Sequence, residues 1–172
     1  MNSILQQLFN VPAFRYSLLA SDDRKPKKMV DTEDGRHLDD TLLHQLVRLF
    51  SFLQMSDRQE YSPADFCYSF KDLAGQPTSV RAQQDAQEFV NLGFDRLETA
   101  LKDTPQKYLI QSTFQGQTAT LTVCKSCGNI VRTPEDFYCL GLQVKNRGTL
   151  KGSLEGMVAG EIIEDYKCSA CH

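Results

Sequence analysis

Four cysteines at paired spacing carry the clearest chemistry in this sequence. Cys124 and Cys127 form one C-x-x-C pair, Cys168 and Cys171 form a second, and 40 residues separate the two pairs. Two intervening residues let a tight turn aim both sulfurs at one ion, and Gly128 can take the positive φ that ends such a turn. Four thiolates complete a tetrahedral shell around zinc and leave no open position for water. The spacing therefore predicts a structural zinc site without a catalytic role.

Other interpretations of these pairs stay open from spacing alone. The thiols can remain unligated or act as a thioredoxin-like redox pair. The run from Cys168 to His172 also matches the attachment pattern for a c-type haem, which requires export to an oxidising compartment. The second pair matches the first and so favours a metal, and the sequence carries no sign of export.

The remaining cysteines and histidines offer no arrangement for nucleophilic catalysis. Cys67 is predicted to lie in a helix and Cys139 in a strand, where buried thiols are ordinarily inert. His37 and His44 flank a long predicted helix, and His172 is the last residue. Neither His37 nor His44 has a cysteine or a carboxylate at a meaningful spacing. We therefore expect no Cys-His catalytic pair within these residues.

A polar cluster opens another predicted helix. The predicted core face of this helix consists of Ala86, Phe89, Val90, Gly93, Leu97 and Leu101. Gln84, Asp85 and Glu88 fall on the arc opposite most of this face, so its packing turns the three polar groups outward together. Asp85 is placed to cap the helix with Glu88 at the capping-box position, and both carboxylates suit the positive helix end. Because a capped carboxylate can still receive a partner's cation, the cluster is a candidate binding site as well as a cap.

Composition restricts the class of protein. The 172 residues are 41% hydrophobic and 24% charged, a normal balance for a soluble globular domain. The formal net charge of -3 and the pI of about 5.6 argue against nucleic acid binding. The sequence has no apolar window long enough to span a membrane and no signal-peptide pattern. We therefore expect a cytosolic or nuclear protein with no nucleic acid or membrane partner, where reduced cysteines favour metal over disulfides.

The elements that must position these residues change in type along the chain. Apolar spacing of three to four residues predicts helices, and alternation predicts strands. The predicted helices cover residues 2–9, a segment from Pro12, residues 38–53, a segment from Ser62 that includes Phe66, Phe70 and Leu73, and residues 83–101. The predicted strands cover residues 118–123 and 138–144, with the first cysteine pair between them, and a short helix covers residues 150–158. The charged stretch 21–36 is predicted to be a solvated loop.

Four blocks in order resemble the ubiquitin-specific proteases, a family of papain-like cysteine peptidases. Residues 1–8 resemble the end of the family's cysteine box, and residues 83–89 resemble its second box. The two C-x-x-C pairs resemble the zinc knuckles of the family's fingers. The strand that lies between these knuckles in the family is similar to a stretch of this chain that contains Glu135, Phe137, Leu140, Leu142 and Val144. The resemblance covers nearly the whole chain and is weakest over residues 21–36.

This resemblance implies an α+β, papain-like cysteine peptidase fold that is truncated in this chain. Residues 1–110 would form the helical thumb, residues 111–172 would form the β-rich fingers with the zinc knuckles, and the palm would be incomplete. The family's nucleophile would stand two residues before Met1 and its histidine beyond His172, so no catalytic residue is expected within the chain. Asn2 and Ser3 match structural positions in the helix that follows the nucleophile.

The resemblance also implies a function. Members of this family are thiol isopeptidases that hydrolyse bonds to the C-terminus of ubiquitin through an acyl-enzyme. Asp85 and Glu88 match positions that hold the basic tail of ubiquitin, and Gln84 beside them is a further substrate-binding candidate. The chain by itself is expected to be inactive.

Two alternatives to this enzymatic function remain. The chain can be a non-catalytic ubiquitin-binding module of the same fold, and a cysteine two positions before Met1 would decide for the enzyme. It can also be a zinc-ribbon adaptor that binds protein or nucleic acid. The acidic balance of the chain and the block at residues 83–89 both count against the adaptor.

Overall fold

A computed structural model of the chain describes residues 1–21, 29–31, 35, 37–39, 41–58, 60–72, 74–79, 83 and 85–171. These residues form helices and short antiparallel strands, so the mixed α+β content agrees with the prediction. They divide into two compact units, Met1–Phe114 and Gln115–His172. Within the described ranges, no helix combines the length and the apolarity that a membrane crossing needs.

The first unit is mainly helical. Its helices are α1 (Asn2–Phe9), α2 (Pro12–Leu19), α3 (Leu42–Met55), α4 (Ala64–Ser69), α5 (Ala86–Leu101) and α6 (Leu109–Phe114). Between α2 and α3 in the chain, β1 (Met29–Asp31) and β2 (His37–Asp39) pair as a short antiparallel hairpin. The predictions for α1 and for the start of α2 are confirmed. Pro12 stands at the first helical position of α2, where a missing N–H leaves no bond unmade.

The helix predicted at residues 38–53 begins later, at Leu42. Leu38 belongs to β2 and pairs with Val30 of β1, so the stretch 21–36 predicted as loop also contains a strand. Leu38 and Leu42 are four residues apart, and this spacing places two residues on one face of a strand as well as of a helix. Periodicity therefore could not separate the two elements, and the pairing of the hairpin decided between them.

Other helices of the first unit differ from prediction at their ends. α4 stops at Ser69 because Phe70 already has an extended backbone, with ψ of 93°. Leu73, which was predicted within the same helix, lies outside the described residues. α5 begins at Ala86, three residues later than predicted, and Asp85 before it is extended. The six-residue helix α6 was not predicted, because so short a segment does not establish a period.

Aromatic side chains form much of the core of the first unit. Phe14 meets Phe50 edge-on with ring centroids 6.0 Å apart, and Phe94 stacks on Phe114 at 4.8 Å. The apolar face of α5 buries Phe89, Val90, Phe94, Leu97 and Leu101. Ala86 was predicted on this face but is exposed, because the first turn of α5 extends beyond the packed part of the helix. The core thus holds α5 along most of its length and leaves its N-terminus free.

Gly93 of α5 lines a small apolar cavity of about 20 Å³ in this core. A Cβ added to Gly93 would meet Phe70 Cε2 at 3.6 Å, an ordinary van der Waals distance. Because glycine disfavours a helix interior relative to alanine, we expect Gly93→Ala to raise the free energy of unfolding by about 1 kcal/mol and the melting temperature by roughly 4 °C. Denaturant and thermal unfolding followed by circular dichroism would measure both values. A destabilised variant would show that the added Cβ does not fit beside Phe70.

The second unit contains one long hairpin and one helix. β3 (Gly116–Val123) pairs antiparallel with β4 (Ile130–Phe137), and α7 spans Leu150–Met157. The alternation that predicted β3 and the spacing that predicted α7 are confirmed. The second strand predicted at residues 138–144 is wrong, because β4 ends at Phe137 and the following residues form no strand. Cys139, predicted to lie in that strand, therefore follows the hairpin.

A short turn sets the register of this hairpin. The Cys124 N–H donates to the Asn129 carbonyl at 2.9 Å, and the Gly128 N–H donates to the Cys124 carbonyl at 2.8 Å. Gly128 has φ of +74°, as its predicted place in the turn requires. Because the chain reverses here, the residues directly after the turn complete the ladder. Pro134 pairs with Ala119, an odd number of positions along β3 from the hydrogen-bonded pair of Cys124 and Asn129. Hydrogen-bonded and non-hydrogen-bonded pairs alternate along an antiparallel ladder, so this position needs no N–H from Pro134.

The second unit buries little apolar surface. Among its described residues, the buried ones are Cys124, Ser153 and Cys168. Leu121 of β3 is 61% exposed and Leu150 of α7 is 69% exposed, although both belong to the apolar patterns that predicted these elements. A hydrophobic core therefore contributes little to the stability of this unit, and its cysteine cluster becomes a central constraint on its fold.

Candidate functional site

The four paired cysteines converge on one point in the second unit. The Sγ atoms of Cys124 and Cys171 are 3.7 Å apart, and those of Cys127 and Cys168 are also 3.7 Å apart. All four sulfurs lie within 4.8 Å of one another. Four sulfurs that each bind one ion at about 2.3 Å in a tetrahedron are separated by about 3.8 Å. The cluster therefore fits a metal ion held by four thiolates.

Two backbone turns hold the sulfurs in place. The first pair occupies the turn at the end of the β3–β4 hairpin, and the second pair occupies a turn close to the end of the chain. The first cysteine of each pair, Cys124 or Cys168, is buried, whereas the second, Cys127 or Cys171, is exposed. The cluster is thus enclosed by protein on one side and open to solvent on the other.

Neighbouring groups shift the pKa values of Cys124, Cys168 and Cys171 in different directions. Backbone N–H groups, led by that of Ala170, lower the pKa of Cys168 to about 6. The backbone N–H of Cys127 is the main cause that lowers the pKa of Cys124. Side-chain hydrogen bonding with Cys127, followed by that with Cys124, raises the pKa of Cys171 to about 12, because it stabilises the protonated form of the Cys171 thiol. A cation bound by all four sulfurs must therefore displace protons, which couples metal binding to pH.

Two N–H groups approach the buried sulfur of Cys168. The Ala170 backbone N–H lies 3.4 Å from this sulfur, and the side-chain Nδ2 of Asn129 lies 3.9 Å from it. Asn129 belongs to the opposite knuckle and was not predicted as a site residue. The available signal in the sequence was an amide side chain placed two residues after a paired cysteine. Its relevance depends on the second pair folding back onto the first.

Cys67 and Cys139 lie apart from the cluster. Cys67 is buried on α4, and this burial raises the pKa of its thiol to about 11, so the nucleophilic thiolate is scarce near neutral pH. Cys139 is half-buried after β4. His44 lies on α3, whereas His172 and the side chain of His37 lie outside the described residues. The environment of Cys67 agrees with its predicted inert role.

The structure describes two members of the predicted polar cluster at the start of α5, Asp85 and Glu88. Asp85 is the N-cap, and its Oδ1 accepts hydrogen bonds from the Gln87 N–H at 2.8 Å and the Glu88 N–H at 2.9 Å. The predicted capping role of Asp85 is therefore confirmed. Asp85 and Glu88 are both exposed, and Gln84 lies outside the described residues. The two carboxylates stand at the positive end of a 16-residue helix and remain accessible to a partner.

Residues 1–164 match the family model described as ubiquitin carboxyl-terminal hydrolase. The chain belongs to this family. Ubiquitin carboxyl-terminal hydrolase 24 of Mus musculus is 34% identical over 174 residues, which cover 99% of this chain and 6% of that protein. Ubiquitin carboxyl-terminal hydrolase 9X of Mus musculus is 29% identical over 209 residues, which cover 100% of this chain and 8% of that protein. The chain thus spans less than a tenth of the length of these two relatives.

The chain covers a larger share of a third relative, ubiquitin carboxyl-terminal hydrolase 40 of Homo sapiens, which is 31% identical over 175 residues that cover 99% of this chain and 14% of that protein. Membership in the ubiquitin carboxyl-terminal hydrolase family confirms the resemblance to the ubiquitin-specific proteases. A papain-like fold follows from this membership. The family match includes the start of α5 and the first cysteine pair, and it ends before Cys168.

Proposed function

We propose that the chain is part of a thiol isopeptidase that hydrolyses bonds to the C-terminus of ubiquitin. The observation that carries this proposal is the family match over residues 1–164, which runs through both compact units. The helical unit corresponds to the thumb and the hairpin unit to the fingers. Ubiquitin or a ubiquitinated protein is the partner, and a reducing compartment, cytosol or nucleus, suits the free cysteines.

The catalytic step belongs to residues outside this chain. A thiolate two residues before Met1, activated by a histidine beyond His172, attacks the carbonyl carbon at the ubiquitin C-terminus and releases the amine of the leaving group. Water then hydrolyses the thioester and frees the thiolate. Cys67 does not replace this nucleophile, because its buried thiol holds its proton with a pKa of about 11. The contribution of this chain is the scaffold and the surface that receives ubiquitin.

Zinc is the metal that the four-cysteine cluster suits best. Soft thiolates prefer zinc among the common divalent ions, and four of them form a closed structural site. The separations of 3.7 Å between sulfurs support this assignment over unligated thiols, since unconstrained cysteines have no reason to match a tetrahedron. They support it over a thioredoxin-like pair as well, because sulfurs of different pairs approach each other. The zinc would hold the hairpin to the distant second knuckle.

The exposed carboxylates at the start of α5 are the proposed contact for the basic tail of ubiquitin. Asp85 uses Oδ1 for the helix cap, and Glu88 lies in the first turn beside it. Cationic side chains of a bound tail would meet both carboxylates and the positive helix end would remain capped. Gln84 stays a candidate for the same contact.

The proposed activity can be tested in a longer protein that extends this chain in both directions. We expect ubiquitin with a thiol-reactive C-terminus to form one covalent adduct, at the cysteine two residues before Met1. The same protein should release the fluorophore from a ubiquitin C-terminal amide. The Cys67→Ala variant should react at an unchanged rate, because Cys67 is buried.

Other outcomes would assign a different function. Tight ubiquitin binding without an adduct would favour the non-catalytic ubiquitin-binding module. The absence of any ubiquitin binding would favour the zinc-ribbon adaptor. An adduct located on Cys67 or Cys139 would show that the nucleophile lies within the chain.

A further inference from the structure

Asn129 joins the two knuckles of the cysteine cluster through two different groups. Its backbone carbonyl accepts the Cys124 N–H at 2.9 Å, which closes the turn of the first knuckle. Its side-chain Nδ2 lies 3.9 Å from Cys168 Sγ, in the second knuckle. Residues 129 and 168 are far apart in the chain, so this contact exists only when the knuckles meet. Asn129 is therefore placed to stabilise the assembled cluster.

The sulfur that Asn129 approaches is the one that most needs a donor. Cys168 is 3% exposed, so water cannot solvate a thiolate at this position, whereas Cys127 and Cys171 are open to solvent. A divalent ion held by four thiolates keeps a net negative charge, and buried negative charge is costly unless N–H groups approach it. The Ala170 N–H supplies one such group at 3.4 Å, and the Asn129 amide supplies a second from the other knuckle.

We propose that Asn129 is a positioning residue that sets how tightly the two knuckles hold their metal. The proposal rests on the four-cysteine metal site argued above. The amide orients the Cys168 sulfur toward the cluster and offsets part of its charge, so the assembled state is favoured over separated knuckles. Partners of metal ligands outside the coordination shell typically change metal affinity by about 10- to 100-fold when they are removed.

Two variants separate the donor role from simple shape. Asn129→Asp keeps the size and turn preference of asparagine but replaces the N–H donor with a negative oxygen beside a thiolate. Asn129→Leu also removes the donor but adds no charge. If the amide acts through its electrostatic interaction with the Cys168 sulfur, zinc affinity should fall about tenfold in Asn129→Leu and further in Asn129→Asp. If only shape matters, the isosteric aspartate should be the less harmful change.

The measurement uses the 172-residue chain loaded with zinc. Competition with a chromophoric chelator reports zinc affinity, and the absorption bands of the Co²⁺-substituted chain report the sulfur environment without any enzymatic assay. Ser126→Ala is the matched control, because Ser126 is exposed in the same knuckle. We expect this control to bind zinc as tightly as the unmodified chain and to keep its Co²⁺ spectrum.

Each result bears on a different proposal. Wild-type affinity and an unchanged Co²⁺ spectrum in Asn129→Asp would overturn the role of Asn129 and leave the metal site standing. A larger loss in Asn129→Leu than in Asn129→Asp would also overturn it. If the unmodified chain binds no metal at all, the metal site itself fails and the role of Asn129 fails with it.

Discussion

Replacing Cys127 with alanine should abolish metal binding and unfold residues 115–172 while the helical unit stays folded. Cys127 is exposed, so its truncation leaves no buried cavity, and any large effect must come from the lost metal ligand. Structural zinc sites contribute on the order of 10 kcal/mol of apparent folding free energy near neutral pH. A whole domain is typically stable by about 5 to 15 kcal/mol, and the second unit buries almost no apolar side chain. The buried apolar surface of this unit is therefore too small to keep it folded without the metal.

Elemental analysis and hydrogen exchange by peptide can follow this result. We expect one zinc per unmodified chain and none in Cys127→Ala, with fast exchange in the β3–β4 hairpin and protected amides in α3 and α5. A strong chelator should produce the same pattern in the unmodified protein. Cys139→Ala is the matched control, since Cys139 lies in the same unit outside the cluster. A metal-free wild-type protein with a stable hairpin would sink the prediction.

Asp85→Asn combined with Glu88→Gln should weaken ubiquitin binding by roughly ten- to a hundredfold in a protein extended to include the proposed catalytic residues. Asparagine is as good an N-cap as aspartate, and it can present the same oxygen to the Gln87 and Glu88 N–H groups. The double substitution therefore removes charge and keeps the cap. Charge-assisted hydrogen bonds contribute about 1.5 to 3 kcal/mol, which corresponds to the expected loss in affinity.

Three measurements distinguish a ubiquitin contact from a cap. Thermal stability should change little, the loss in affinity should shrink as salt rises, and Asp95→Asn should bind ubiquitin normally. Asp95 is the matched control because it is an exposed carboxylate on the same helix, outside the first turn. Unchanged affinity in the folded double variant would falsify the contact with the ubiquitin tail and leave Asp85 as a helix cap alone.

Local periodicity was sufficient where one element buries one face. The apolar spacing of α5 predicted the burial of Phe89, Val90, Leu97 and Leu101, and the short-range chemistry of Asp85 predicted its cap. Periodicity was insufficient near Leu38, where strand and helix share the same spacing of four. Periodicity also failed at residues 138–144. The turn at Gly128 places β4, which comes directly before these residues, opposite β3.

The sequence by itself determined the types and paired spacing of the four cysteines and the polar start of α5, because each depends on residues close together in the chain. It also determined the family of this protein, because motifs are recognised by their order along the chain without knowledge of how they pack. Only the tertiary structure decided that the two cysteine pairs, 40 residues apart, bring their sulfurs to 3.7 Å, and that Asn129 reaches Cys168. It also decided that the apolar patterns of β3 and α7 stay largely exposed. Such facts depend on which distant segments meet, and local propensity and periodicity carry no information about long-range pairing.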